Sequence, residues 1–255
     1  RAHFAFQGGE PTPAGIDFFE YFVSEAEKFF PGRADFSIQT NGLLLDEDFC
    51  AFLAEKSFLV GISLDGYEEI HDLYRSDCSG NGSWKRVMAA IDRLRKHGVR
   101  YNVLSVVTNQ LAKRADKLMR FFQREDFGYI QLTPCLAPLG APGGKYALRP
   151  EQYALFLKEF FALWLDELKA GTYRSVRLFD NVVRMFCKRD PEMCGMCGKC
   201  SLQYVIESNG NVYPCDFYAL DEYLMGNILT DDFVTLSESS GARTFLSDGL
   251  SGLPS

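Results

Sequence analysis

Short apolar runs recur through the first half of the chain, at residues 3–7, 36–39, 58–64, 101–108 and 129–134, and each reads as a buried strand. The first, His3-Phe4-Ala5-Phe6, stops at Gly8-Gly9, where two residues without a Cβ let another group come close to the backbone. The stretches 16–30, 46–56, 84–97 and 111–125 carry apolar residues three and four apart with charges on the opposite face. That period predicts amphipathic helices. Asp46 is the expected N-cap of the second, and Gly98 falls where a C-cap glycine belongs after the third.

Strands alternating with helices predict a parallel sheet with right-handed crossovers, either doubly wound or closed into a partial barrel. Both gather ligands at the C-terminal ends of the strands. Four of those ends carry small or polar residues: Gln7-Gly8-Gly9-Glu10, Gln39-Thr40-Asn41-Gly42, Ser63-Leu64-Asp65-Gly66 and Thr133-Pro134-Cys135. Together they predict one pocket rim. After Pro138 the run Leu-Gly-Ala-Pro-Gly-Gly reads as a loop. Pro150 then starts a helix rich in Phe and Leu that includes Trp164, and a second helix is expected over 176–188. A hairpin is expected from 202–207 and 211–213, turned by Ser208-Asn209-Gly210.

Composition narrows the class. The 255 residues are 47% hydrophobic, enough for a sizeable core. A net charge of −7 argues against nucleic acid or an anionic membrane as the main partner. No apolar run approaches the about 18 to 20 residues that span a bilayer. The three histidines, His3, His71 and His97, are too dispersed to form a ligand set.

Of eight cysteines, Cys194, Cys197, Cys200 and Cys215 lie close together. A disulfide framework belongs to small secreted chains rather than to a large α/β protein. Thiolates at C-x2-C-x2-C plus one further Cys suit zinc. A fourth ligand arriving only after a hairpin, flanked by Tyr213 and Phe217, suits an iron–sulfur cluster shielded from water, and spacing leaves both open. Asp216 follows Cys215, either as a solvated loop carboxylate or as a group pinned beside a metal site. At Gly8-Gly9-Glu10 a carboxylate and open carbonyls suit a ligand carrying an ammonium group, and no nucleotide phosphate-binding pattern occurs.

In order, FAFQGGEPT, SIQTNG, VGISLDG with IHDLYR, and CSLQYVIESNGNVYPCDFYALDEYLMGNI resemble the radical S-adenosylmethionine enzymes that carry a SPASM-type C-terminal domain, and among them the anaerobic sulfatase-maturating group. The resemblance implies an α/β fold, a partial (β/α)6 TIM-like barrel lacking its first β/α unit, followed by an incomplete SPASM auxiliary-cluster domain with a β-hairpin. The implied domains are the radical SAM partial barrel at 1–140, a helical linker region at 141–190 and the auxiliary iron–sulfur domain at 191–255. The family's C-x3-C-x2-C loop for its first four-iron four-sulfur (4Fe-4S) cluster is expected upstream of Arg1, and its later cysteines beyond Ser255.

The resemblance further implies that Gly8, Gly9 and Glu10 hold the methionine part of S-adenosylmethionine, that Ser63 and Arg75 contact its ribose and carboxylate, and that Leu136 packs near the adenine. Cys194, Cys200 and Cys215 would ligate the auxiliary cluster, with Cys197 either a spare thiol or the fourth ligand. Gln7 and Gln39 are expected to line the pocket and touch substrate, with strand-end packing the alternative. The implied reaction is oxidation of a sulfatase Cys or Ser to Cα-formylglycine, in which a 5′-deoxyadenosyl radical removes the Cβ hydrogen and Asp216 accepts the thiol or hydroxyl proton. Implied partners are the sulfatase polypeptide and a reducing donor such as flavodoxin or ferredoxin, in an anaerobic cytoplasm. The 255 residues alone, without the first cluster, are expected to be inactive. The alternatives are a SPASM peptide maturase forming a cross-link or thioether, or a non-catalytic fragment.

Overall fold

A computed structural model describes residues 1–137 and 143–251, the side chains of 249–251 excepted; the loop expected from residue 139 therefore lies largely outside the described residues. The chain divides into two compact units, Arg1–Asp180 and Asn181–Ser255.

The first unit runs β1 (Ala2–Phe6), α1 (Ile16–Phe29), β2 (Ala34–Thr40), α2 (Glu47–Glu55), β3 (Leu59–Ser63), α3 (Glu68–His71), α4 (Trp84–Lys96), β4 (Arg100–Val107), α5 (Ala115–Arg124), β5 (Tyr129–Pro134), α6 (Pro150–Lys169) and β6 (Ser175–Val176), with α7 (Arg177–Phe186) leading out of it. All five pairings are parallel, and the strands lie in chain order from β1 to β6. A doubly wound sheet would reverse direction at a switch point. Strictly sequential order, with right-handed crossovers, keeps the helices on one face, which is the arrangement of a partial barrel.

Apolar periodicity explains the helix face. Phe36 and Ile38 of β2, Val60 and Ile62 of β3, and Val103 and Val107 of β4 are buried in a core with Phe19 and Val23 of α1, Leu53 of α2, Ile91 of α4 and Phe122 of α5. Aromatic rings dominate near β1, where Phe6 meets Phe19 edge to face at 5.0 Å and Phe36 stacks on Phe58 at 5.3 Å. A buried Phe contributes about 1.5–3 kcal/mol relative to leaving it exposed. Helix α6, in the stretch expected as a helical linker, buries Phe156, Phe160 and Trp164 in the same core.

Capping follows the expected chemistry. The Asp46 carboxylate accepts from the Phe49 amide at 2.8 Å, and Gly98, at φ 67°, donates to the Arg95 carbonyl at 3.0 Å just past α4. Two elements differ from the sequence expectation. Residues Leu111–Lys113 form a 3-10 turn rather than the start of α5, because Arg114, at φ −136°, breaks the helical path. Ser175–Val176 pairs with β5, so the helix expected over 176–188 begins one residue later, at Arg177.

In the second unit, β7 (Val205–Ile206), β8 (Asn211–Tyr213) and β9 (Gly226–Asn227) form an antiparallel sheet, followed by α8 (Phe233–Ser237) and α9 (Ser240–Ser251). The expected hairpin is present with a shorter first strand, and its turn closes through Gly210 N–H to the Glu207 carbonyl at 2.8 Å. The buried cluster here is small: Val212, Met225, Leu236 and Ala242. No helix among the described residues is long and apolar enough to cross a membrane.

Candidate functional site

Alternation along the strands puts the apolar residues on the helix face and leaves a half-buried polar row on the other. Ser37 and Gln39 of β2, Ser63 of β3, Asn102 of β4, and Gln131 and Thr133 of β5 belong to that row. Bonds across it include His3 to Ser37 Oγ at 3.1 Å, Gln39 Nε2 to Ser63 Oγ at 3.1 Å, and Arg177 Nη1 to Gln131 Oε1 at 2.9 Å. Gly61 makes the second possible, since a Cβ there would lie 2.0 Å from Gln39 Oε1. Gln39 therefore lies across Gly61 to orient Ser63.

At the C-terminal end of β1, Gly8 and Gly9 take φ of +83° and +52°, the left-handed region that disfavours a side chain. A Cβ at either would meet no protein atom within 4 Å. The backbone there faces open space, which fits close approach of a ligand. The Glu10 carboxylate, expected at the ligand, also bonds within the protein. Its Oε1 accepts from the Thr12 amide at 3.1 Å, Thr12 Oγ1 at 2.6 Å and Thr40 Oγ1 at 2.7 Å, and its Oε2 accepts from the Asn41 amide at 2.7 Å. Glu10 thereby clamps the loop after β1 to the end of β2.

Arg75 is brought to the end of β3 by Asp65, whose Oδ2 accepts from Nε at 2.5 Å and whose Oδ1 accepts from Nη2 at 3.3 Å. The sequence places Thr40, Asn41 and Asp65 on the rim without indicating their partners, and gives no signal for Thr12. The signal for Asp65 was its place on the rim, two residues beyond Ser63. Cys135 follows β5, its thiol pKa raised first by burial and then by the Asp65 charge. Leu136 beside it is 68% exposed, an apolar surface at the strand end. Gln7, one residue past β1, is exposed.

In the second unit the C-x2-C-x2-C segment opens on a 3-10 turn, Cys194–Met196. Buried Asn181 on α7 holds its approach: Oδ1 accepts from the amides of Glu192 at 2.5 Å and Met193 at 3.0 Å. The thiols of Cys194, Cys197 and Cys200 are exposed and that of Cys215 is buried; none is in a disulfide. Burial raises the Cys215 pKa, partly opposed by the Phe217 amide and reinforced by Asp216. Cys215 Sγ lies 3.4 Å from Asp216 Oδ1, which also accepts from the Phe217 amide at 3.1 Å. Cys197 Sγ is directed at the carbonyls of Met193, at 3.5 Å, and Pro191, at 3.7 Å. Among the described residues, no three His, Cys, Asp or Glu side chains converge closely enough to hold a single ion. The four thiols offer soft donors of the kind that iron–sulfur clusters and zinc both take.

Comparison with known proteins gives the context. Residues 1–122 match the model of the Radical SAM superfamily, and residues 194–252 match that of SPASM, described as an iron-sulfur cluster-binding domain. The cysteine-type anaerobic sulfatase-maturating enzyme of Clostridium novyi is 43% identical over 97% of this chain and 67% of its own length. The serine-type enzyme of Bacteroides thetaiotaomicron is 34% identical over 95% of this chain and 62% of its own length. A solved structure of native anSMEcpe with bound AdoMet and the Kp18Cys peptide superposes with a TM-score of 0.93 at 40% identity, covering 97% of this chain and 70% of that one. Streptococcus suis SuiB bound to its precursor peptide SuiA, at 16% identity and a TM-score of 0.65, shares the fold alone. The chain spans about two thirds of the length of the curated cysteine-type relatives, and at this identity over nearly all its residues it belongs to the anaerobic sulfatase-maturating enzymes of the radical SAM superfamily.

Proposed function

We propose that the protein oxidises a Cys side chain in a sulfatase polypeptide to Cα-formylglycine, using S-adenosylmethionine at the sheet end of the first unit and an iron–sulfur cluster in the second. The observation that carries this reading is the 43% identity to a cysteine-type enzyme over 97% of the chain. Cys is favoured over Ser because the serine-type relative stands lower, at 34%. The bound cofactors supply the hydrogen-abstracting radical and the route for the departing electron.

The residues divide the work. The carbonyls around Gly8 and Gly9 receive the cofactor's ammonium group, and Glu10 fixes that loop against β2. Ser63, oriented by Gln39, and the outer edge of Arg75 meet the ribose and carboxylate. Leu136 offers an apolar face to the adenine. Gln7 and the polar row that includes Gln39 line the path of the peptide. Cys194, Cys200 and Cys215 hold the cluster, and Cys197, turned toward two carbonyls, remains a spare thiol. Asp216 accepts the proton of the substrate thiol, a role its exposed carboxylate beside Cys215 suits. Residues 1–140 then serve as the cofactor domain, 141–190 as its helical extension and 191–255 as the cluster domain. A low-potential donor such as flavodoxin or ferredoxin would supply electrons in the cytoplasm, where thiols stay reduced.

The test is anaerobic incubation of reconstituted enzyme, in which this chain is joined to the C-x3-C-x2-C cluster loop expected upstream of Arg1, with two sulfatase-derived peptides that differ only in Cys or Ser, read by mass spectrometry and by hydrazine capture of the aldehyde. Aldehyde on the Cys peptide, with less on the Ser peptide, supports the reading. A thioether or cross-linked product instead points to a peptide maturase.

A further inference from the structure

A buried polar cluster of the first unit lies directly behind the rim. Asp65 is 3% exposed, and besides receiving Arg75 its Oδ1 accepts from the Val106 amide at 2.8 Å. The carboxylate is thereby tied to β4 on one side and to the guanidinium on the other. The Arg75 backbone is held as well. Its carbonyl accepts from Ser83 Oγ at 2.8 Å, and its amide donates to the His71 carbonyl at 2.9 Å.

His71, with no exposed surface, closes the ring. Its Nδ1 accepts from the Asp65 amide at 3.2 Å, so the proton of the neutral imidazole sits on Nε2, which donates to Ser83 Oγ at 2.9 Å. Ser83 passes its own hydrogen to the Arg75 carbonyl. Three residues, Asp65, His71 and Ser83, thus fix both ends of Arg75.

The arrangement has a direction. Asp65 takes Nε–H and one Nη2–H, the side edge of the guanidinium, which leaves the Nη1–Nη2 end for a ligand. The Arg75 side chain is 29% exposed against 5% for Asp65, so the arginine is the member of the pair within reach of a ligand. An arginine free to choose among rotamers would lose that freedom on binding; one already held does not.

We propose that Asp65, His71 and Ser83 are positioning residues that preset the guanidinium of Arg75 for the carboxylate and ribose portion of S-adenosylmethionine. This rests on the reading of Arg75 given above as a cofactor contact. The test is equilibrium binding of S-adenosylmethionine to the reconstituted protein without reductant, together with KM and kcat for the cofactor. Arg75→Gln tests the underlying reading, while Asp65→Asn and Ser83→Ala test the network.

Asp65→Asn is expected to raise Kd about tenfold to a hundredfold, the scale on which misplacing a binding group acts, with the loss falling on KM rather than kcat. Ser83→Ala, which removes one hydroxyl, is expected to raise Kd several-fold and decides the matter if Asp65→Asn does not fold. The Asp65→Asn/Arg75→Gln double variant should bind no more weakly than Arg75→Gln alone, because the two act as one unit. The proposal is overturned if the folded network variants bind as tightly as the unaltered protein while Arg75→Gln binds weakly, or if the double variant's losses add. If Arg75→Gln itself binds normally, the reading of Arg75 fails and the network proposal falls with it.

Discussion

In the first unit, the rim of the sheet is set by the chain's own side chains: Glu10 joins two strand ends, Gln39 orients Ser63, and Asp65 holds Arg75. In the second, three of the four clustered thiols are exposed, and the buried core beneath them is a handful of residues. The difference follows from core size. A six-stranded sheet covered by helices supports a pre-organised polar site, whereas a three-stranded sheet of two- and three-residue strands depends on a bound group to complete its order.

The largest expected effect breaks that comparison at the cysteines. Removing iron with a chelator, or replacing Cys215 by Ser, should destabilise the second unit by several kcal/mol, since metal-binding free energy becomes folding free energy in small domains. Limited proteolysis is then expected to cut within residues 190–230 while the first unit survives. Equal loss of both units would deny the contrast.

Acid titration sharpens the same contrast from the other side. Burial, reinforced by the Arg75 charge and opposed by Asp65 and Asp72, depresses the His71 pKa from 6.5 to about 4. The unfolded chain therefore binds this proton first. The contribution of neutral His71 is complete above pH 6.5 and is lost as pH falls toward 4, a change on the order of 3 kcal/mol. Denaturant midpoints of the first unit should drop over that window, and a His71→Asn variant should show a flatter profile.

Glu10→Gln comes next. It exchanges a charged acceptor for an amide that cannot accept at both ends, and should lower the stability of the first unit by about 2 kcal/mol in denaturant titrations. Gly61→Ala has the smallest expected cost, about 1 kcal/mol, because the flexible end of Gln39 can swing aside. Its signature is weaker cofactor binding through a disoriented Ser63, with the fold intact by circular dichroism.

The five long strands were legible because each carries a continuous or alternating apolar run, and Asp46 and Gly98 marked helix ends by their chemistry. β6 and β9 were not, since two residues give no period, and Ser175–Val176 merges with the apolar pattern of α7. The 3-10 turn at Leu111–Lys113 was hidden because Leu111, Ala112 and Ala115 are buried on both sides of the break. At the site, the glycines and the strand-end polar residues could be read directly. Their partners could not: Glu10 meets Asn41, and Asp65 meets Val106, across spans that only the register of neighbouring parallel strands brings together. For that reason Glu10 could be read as a rim residue, but not as the clamp that joins the loop after β1 to the end of β2.

The most direct test of the central claim uses a sulfatase-derived peptide whose target Cys is deuterated at Cβ, incubated anaerobically with S-adenosylmethionine, reductant and reconstituted enzyme in which this chain is joined to the C-x3-C-x2-C cluster loop expected upstream of Arg1. Transfer of deuterium into 5′-deoxyadenosine, in step with aldehyde on the peptide, is the predicted result. Cleavage of S-adenosylmethionine with neither label transfer nor aldehyde would contradict the account.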